Sequence, residues 1–92
     1  MLKYDKTRDI FLVNDKPYFE LSASEHKILK YLFQNIVATP EQLINIANLN
    51  KSYNPNSNVI TVYIHSINQK LKLFKNTRVI QKKGGKYVFI VV

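Results

Sequence analysis

Ninety-two residues, 46% of them hydrophobic, make one globular domain with a modest core and exclude a disordered chain. The absence of cysteine excludes disulfides and thiolate metal sites, and no apolar run approaches the ~18 residues of a membrane span, so a cytoplasmic chain with no membrane partner is expected. The net charge of +8 sits wholly in the second half: residues 1–41 hold six Lys or Arg and all six acids, while residues 42–92 hold eight Lys or Arg and no acid, so these cations lack partners in their own segment and favour an outside polyanion.

Along the chain, residues 2–4 read as short and extended. Residues 8–14 read as a strand around Ile10, Phe11, Leu12 and Val13. Asn14, Asp15, Lys16 and Pro17 carry turn chemistry, and residues 18–21 form the returning strand, with Phe19 and Leu21 on one face. Ser22 then caps a first helix, with Glu25 completing a capping box. Ile28, Leu29, Leu32, Phe33 and Ile36 give this helix its buried side. Thr39 caps a second helix that has Pro40 at its first position and Glu41 in its first turn. Leu43, Ile44, Ile46 and Ala47 supply its apolar side, and residues 50–58, rich in Asn and Ser, read as a loop.

A third helix is predicted over residues 57–74. Ile60, Ile64, Ile67, Leu71 and Phe74 fall in one narrow stripe, which must be core. The opposite face carries Asn58, Val62, His65, Ser66, Gln69, Lys72 and Leu73, flanked by Thr61 and Asn68. Asn and Gln pair bidentately with adenine, and a valine can meet a thymine methyl, so this face can read base edges. A terminal hairpin follows: a strand over 78–81 beginning at Arg78, a basic turn of Lys82, Lys83, Gly84, Gly85 and Lys86, and a strand over 87–92. The lysines crowd one tip, where an anion such as phosphate would relieve their repulsion.

Other chemistries find little support. His26 and His65 lie far apart in a chain without cysteine, so they lack metal-ligand spacing. The second half has no carboxylate for acid–base work, and neither a phosphate loop nor a nucleophile motif is present. No catalytic residue and no cofactor is assigned.

The whole is an α+β domain with an N-terminal sheet (residues 1–21), three helices (22–74) and a hairpin (78–92), the element order of a winged helix-turn-helix. The sequence resembles the DNA-binding effector domain of OmpR/PhoB-type response regulators over nearly its full length. The resemblance rests on Leu21-Ser22-x-x-Glu25-x-x-x-Leu29, on Thr39-Pro40-Glu41-Gln42-Leu43-Ile44, and on Asn58-Val59-Ile60-Thr61-Val62-Tyr63-Ile64-x-x-Ile67-x-x-x-Leu71. It also rests on Val79-Ile80-x-x-Lys83-Gly84-x-x-Tyr87-x-Phe89. It implies sequence-specific binding of double-stranded DNA for transcriptional regulation in a two-component system, with the third helix in the major groove and the wing on the backbone or minor groove. It further implies an RNA polymerase contact through the loop at residues 50–57, a receiver domain as partner, and a second copy on tandem half-sites. No receiver lies within these residues. The chain departs from the family in having no Arg on the exposed face of the third helix, and Thr61 stands where an acid is common. That departure supports an alternative, a winged-helix interaction module that sets its basic face on an acidic protein. Where DNA is the partner, replacement of Arg by Ser66, Asn68 and Gln69 predicts an A/T-rich site.

Overall fold

The computed structural model describes residues 2–47, 59–75 and 79–90, with residues 72–75 described by their backbone alone. Three strands form the N-terminal sheet: β1 (Leu2–Asp5), β2 (Ile10–Val13) and β3 (Lys16–Tyr18), antiparallel in the order β1-β2-β3. Strand β2 starts two residues later than the residue 8 expected from sequence. Asp5 is the reason, because its Oδ1 accepts from the Thr7 and Arg8 N–H groups (3.0 and 3.3 Å) and holds the chain in a turn. Asn14 and Asp15 alone make the next turn, at φ 51° and 66°. Both are positive, as a two-residue hairpin requires, so Lys16 and Pro17 already lie in β3. Pro17 is tolerated because β3 is an edge strand that needs no further N–H donor. The ladder stops at Tyr18, so Phe19 and Leu21 do not share a strand face. Phe19 is 76% exposed and Leu21 half-buried, in the connection leading to the next helix.

Helix α1 (Ala23–Asn35) has the expected capping box. Ser22 Oγ accepts from the Glu25 N–H at 3.3 Å, and the Ser22 N–H donates to Glu25 Oε1 at 2.8 Å. Ile28, Leu29 and Leu32 are fully buried, and Phe33 packs on the cluster they form. Ile36 leaves the expected apolar stripe. It ends the helix at φ 71° and ψ −39°, its N–H donating to Leu32 O and its O accepting from the Phe89 N–H at 2.7 Å. A β-branched residue at positive φ is strained. Ile36→Gly should therefore hold stability within about 1 kcal/mol of the parent, strain relief offsetting the loss of a half-exposed side chain. Thermal unfolding tests this, and a loss beyond about 2 kcal/mol would contradict it.

A strand with no signal in the sequence, β4 (Val37–Ala38), follows directly. Two residues leave no periodicity, and their partner lies far along the chain. Helix α2 (Pro40–Ile46) opens with a second capping box, Thr39 with Gln42. Helix α3 (Val59–Lys75) packs against α1 and α2. The wing comprises β5 (Ile80–Lys83) and β6 (Lys86–Phe89), which join β4 in a sheet ordered β4-β6-β5. Gly84 and Gly85, at φ 56° and 77°, suffice for the turn. Lys82, Lys83 and Lys86 therefore lie on the strands and not in the loop as expected from sequence.

One core joins the two sheets to the three helices. Phe33 bridges them: its ring meets Phe11 of β2 edge-on at 5.8 Å and Phe89 of β6 at 5.4 Å. The architecture is a winged helix, as its sequence indicated. Among the described residues, no helix is long and apolar enough to cross a membrane.

Candidate nucleic-acid interface

Helix α3 presents two faces. Ile60, Ile64, Ile67 and Leu71 are buried at 7% exposure or less, as their stripe predicted; the Phe74 side chain lies outside the described residues. Thr61, Val62, His65 and Gln69 are exposed on the far side, Val62 at 63%. Asn58, Arg78 and the Lys72 side chain also fall outside the described residues.

The structure places two candidate readers elsewhere. Asn68 turns towards the wing: its Nδ2 donates to Ile80 O and its Oδ1 accepts from the Ile80 N–H, both at 3.0 Å. A carboxamide occupied on both ends has little left for a base. Ser66 is half-buried beside Glu25 of α1. Of Ser66, Asn68 and Gln69, only Gln69 thus remains exposed, with Thr61 and His65 exposed on the same helix. Thr61 also leans on the wing, its Oγ1 lying 3.4 Å from Tyr87 Oη.

The charges divide in the same way. The second half supplies no acid for its own cations, so a cation there pairs within the chain only by reaching an acid of the first half. Lys70 does: its Nζ lies 2.6 Å from Glu25 Oε1, joining α3 to the first turn of α1. Glu25 is buried, and burial alone would raise its pKa. The Lys70 ammonium, the Ser66 hydroxyl and the Ser22 cap outweigh this and lower it to about 2. Glu25 Oε2 itself completes no hydrogen bond of normal geometry. No local pattern marks this strut, since its partners are 45 residues apart.

The wing lysines differ from Lys70. Lys82, Lys83 and Lys86 are exposed, and none forms an ion pair with a described residue. Strand alternation divides them. Lys82 shares the core face with Ile80 and Tyr87, its Nζ standing 5.8 Å from the Tyr87 ring centroid. Lys83 and Lys86 oppose each other directly across the ladder, on the other face. Like charges so placed repel, and an anion between them relieves the repulsion.

A separate cluster lies on the N-terminal sheet. Asp9 accepts from Tyr4 Oη, and its Oδ1 lies 3.1 Å from His26 Nε2 and 3.2 Å from Lys30 Nζ. The Tyr4 hydrogen bond first, then His26 and Lys30, hold the Asp9 carboxyl far below its usual range. His26 also meets the Phe11 ring edge-on at 5.3 Å, so it is an ordinary half-buried packing residue. No group of three His, Cys, Asp or Glu that could hold a metal ion gathers among the described residues.

Residues 15–89 match the family described as transcriptional regulatory protein, C terminal. No curated protein matches the chain. The family match runs from the β2–β3 turn to the last strand of the wing, and on that extent the chain belongs to the OmpR/PhoB-type C-terminal DNA-binding domains of transcriptional regulators.

Proposed function

We propose that this domain binds double-stranded DNA sequence-specifically, with α3 in the major groove and the wing on the adjacent backbone or minor groove. The observation that carries the reading is a surface built from an acid-free segment. Thr61, Val62, His65 and Gln69 stand outward on α3, and Lys82, Lys83 and Lys86, which form no ion pair with a described residue, stand on the neighbouring hairpin. The uncharged polar face suits base edges, and the lysines suit phosphates. Asn58, Lys72 and Arg78 would extend this footprint at both ends of α3. Gln69 beside Val62 favours adenine and thymine, so the selected site is A/T-rich. The domain pairs with a second copy on tandem or inverted half-sites about one helical turn apart. RNA polymerase is the proposed partner of residues 50–57, which lie outside the described residues, and a receiver domain the proposed source of the signal.

A salt titration on one selected operator and one scrambled duplex tests the assignment. Lys83→Ala should weaken both duplexes by similar factors and flatten log K against log[salt] by about 0.9 for each phosphate no longer neutralised. Gln69→Ala should lose discrimination with the slope near its starting value. Equal affinity for all duplexes would mean binding by charge alone. No shift on any duplex would favour an acidic protein as the partner of the basic face. An unchanged slope in Lys83→Ala would make the wing a solvated turn.

A further inference from the structure

We infer that Asn68 is a positioning residue: it fixes the wing against α3, so that the reading face and the wing lysines form one rigid unit. The consequence for DNA rests on the groove reading above; the clamp itself rests on geometry alone.

The wing sheet is ordered β4-β6-β5, so β5 is an edge with one unpaired side. Ile80 lies on that edge and is 1% exposed. Its N–H and C=O both meet the Asn68 carboxamide at 3.0 Å, while its neighbour Val79 accepts from the Ile90 N–H across the hairpin. The Ile80 groups therefore face away from β6, and without Asn68 a buried donor and a buried acceptor would stand unpaired. A carboxamide offers one donor and one acceptor in a plane, the same pair that a neighbouring strand would offer. Asn68 thus substitutes for a fourth strand, and it does so from the reading helix.

A second contact lies about two helical turns towards the start of α3. There Thr61 Oγ1 approaches Tyr87 Oη of β6 at 3.4 Å. Helix α3 consequently holds both strands of the wing, β5 through Asn68 and β6 through Thr61. Tyr87 in turn lies under the Lys82 ammonium, which places that charge at the junction of helix and wing. Two contacts at separate points along one helix resist rotation of the hairpin in a way that a single contact does not. The spacing between the reading face and the wing lysines is then set before DNA arrives.

The test uses the whole chain, wild type against Asn68→Ala. In the free protein, residual dipolar couplings report the orientation of β5 and β6 relative to α3, and amide exchange reports the Ile80 N–H. Changed wing couplings with faster Ile80 exchange are expected; unchanged couplings overturn the clamp. On DNA, at a temperature where circular dichroism shows both proteins folded, affinity for operator and scrambled duplex should fall together. The salt slope should flatten by about 0.9 for each phosphate that the wing no longer neutralises. Lost discrimination at an unchanged slope would instead make Asn68 a base reader. A lowered melting temperature with couplings, affinity and slope unchanged would reduce Asn68 to a purely structural residue. If the wild type binds no duplex selectively, the groove reading fails, and the dipolar couplings still decide the clamp. Should Asn68→Ala fail to fold, Asn68→Asp keeps the acceptor for the Ile80 N–H and sets a carboxylate against Ile80 O; changed wing couplings are then expected with Ile80 exchange near the wild-type rate, and unchanged couplings overturn the clamp.

Discussion

Lys70→Ala is expected to cost about 3–5 kcal/mol of folding stability, measured by urea unfolding at neutral pH. Lys70 is itself one-third exposed, so its own burial does not set the cost. Glu25 does. Its side chain is 3% exposed, and removing the ammonium 2.6 Å away leaves a carboxylate in the interior without its counter-ion. A domain of this size has only about 5–15 kcal/mol to lose. The double variant Glu25→Gln, Lys70→Met should recover most of the loss, because a glutamine keeps the capping box and carries no charge. The pH dependence follows in sign. The Glu25 pKa falls from an ordinary 4.5 to about 2 on folding, so the native state holds the charged form more firmly than the unfolded chain does. Its contribution is complete above the unfolded value and disappears as pH falls from about 4.5 towards 2. Glu25→Gln should flatten the stability curve in that window. A Lys70→Ala variant within about 1 kcal/mol of wild type would show that water or another cation replaces the ammonium.

Ile67→Ala should destabilise by about 2–5 kcal/mol, the transfer and cavity cost of a large-to-small change in a packed core. Ile67 is fully buried at the centre of the α3 stripe, where the helix meets the rest of the core. Val62, on the same helix, is 63% exposed and is the natural control. Val62→Ala should change stability by no more than about 0.5 kcal/mol, so any effect on DNA binding there reports contact and not folding. Thermal unfolding of the two variants side by side decides the matter. Similar losses in both would mean that the helix is not rotated as the stripe requires.

The departures among the candidate interface residues share one physical cause. Residues 42–92 hold no acid, which makes every cation there look available when the segment is taken by itself. Folding sets α1 against α3 and gives Lys70 an acid from the other half. Every polar residue opposite the apolar stripe likewise looks like a reader when the helix is taken by itself. Packing the wing beside α3 takes Asn68, and packing α1 beside it draws Ser66 inward. What remains exposed is a narrower set: Thr61, Val62, His65 and Gln69, with three wing lysines that form no ion pair with a described residue.

Sequence by itself determined the parts whose causes are local. Both capping residues, the α3 stripe and the double-glycine turn act over one to four positions, and each appears where the residues indicated. Element order and family followed from these parts in sequence. Tertiary structure alone decided the pairing of β4 with β6, the Asn68–Ile80 clamp and the Glu25–Lys70 strut. It also set Ile36 at positive φ, where its C=O meets the Phe89 N–H. The reason is range. A cap or a turn is decided by neighbours along the chain, whereas these contacts join residues 12 to 45 positions apart or more. Their partners become neighbours only once the core has closed, and so the same closure that buries Ile67 also selects which polar side chains of α3 remain exposed.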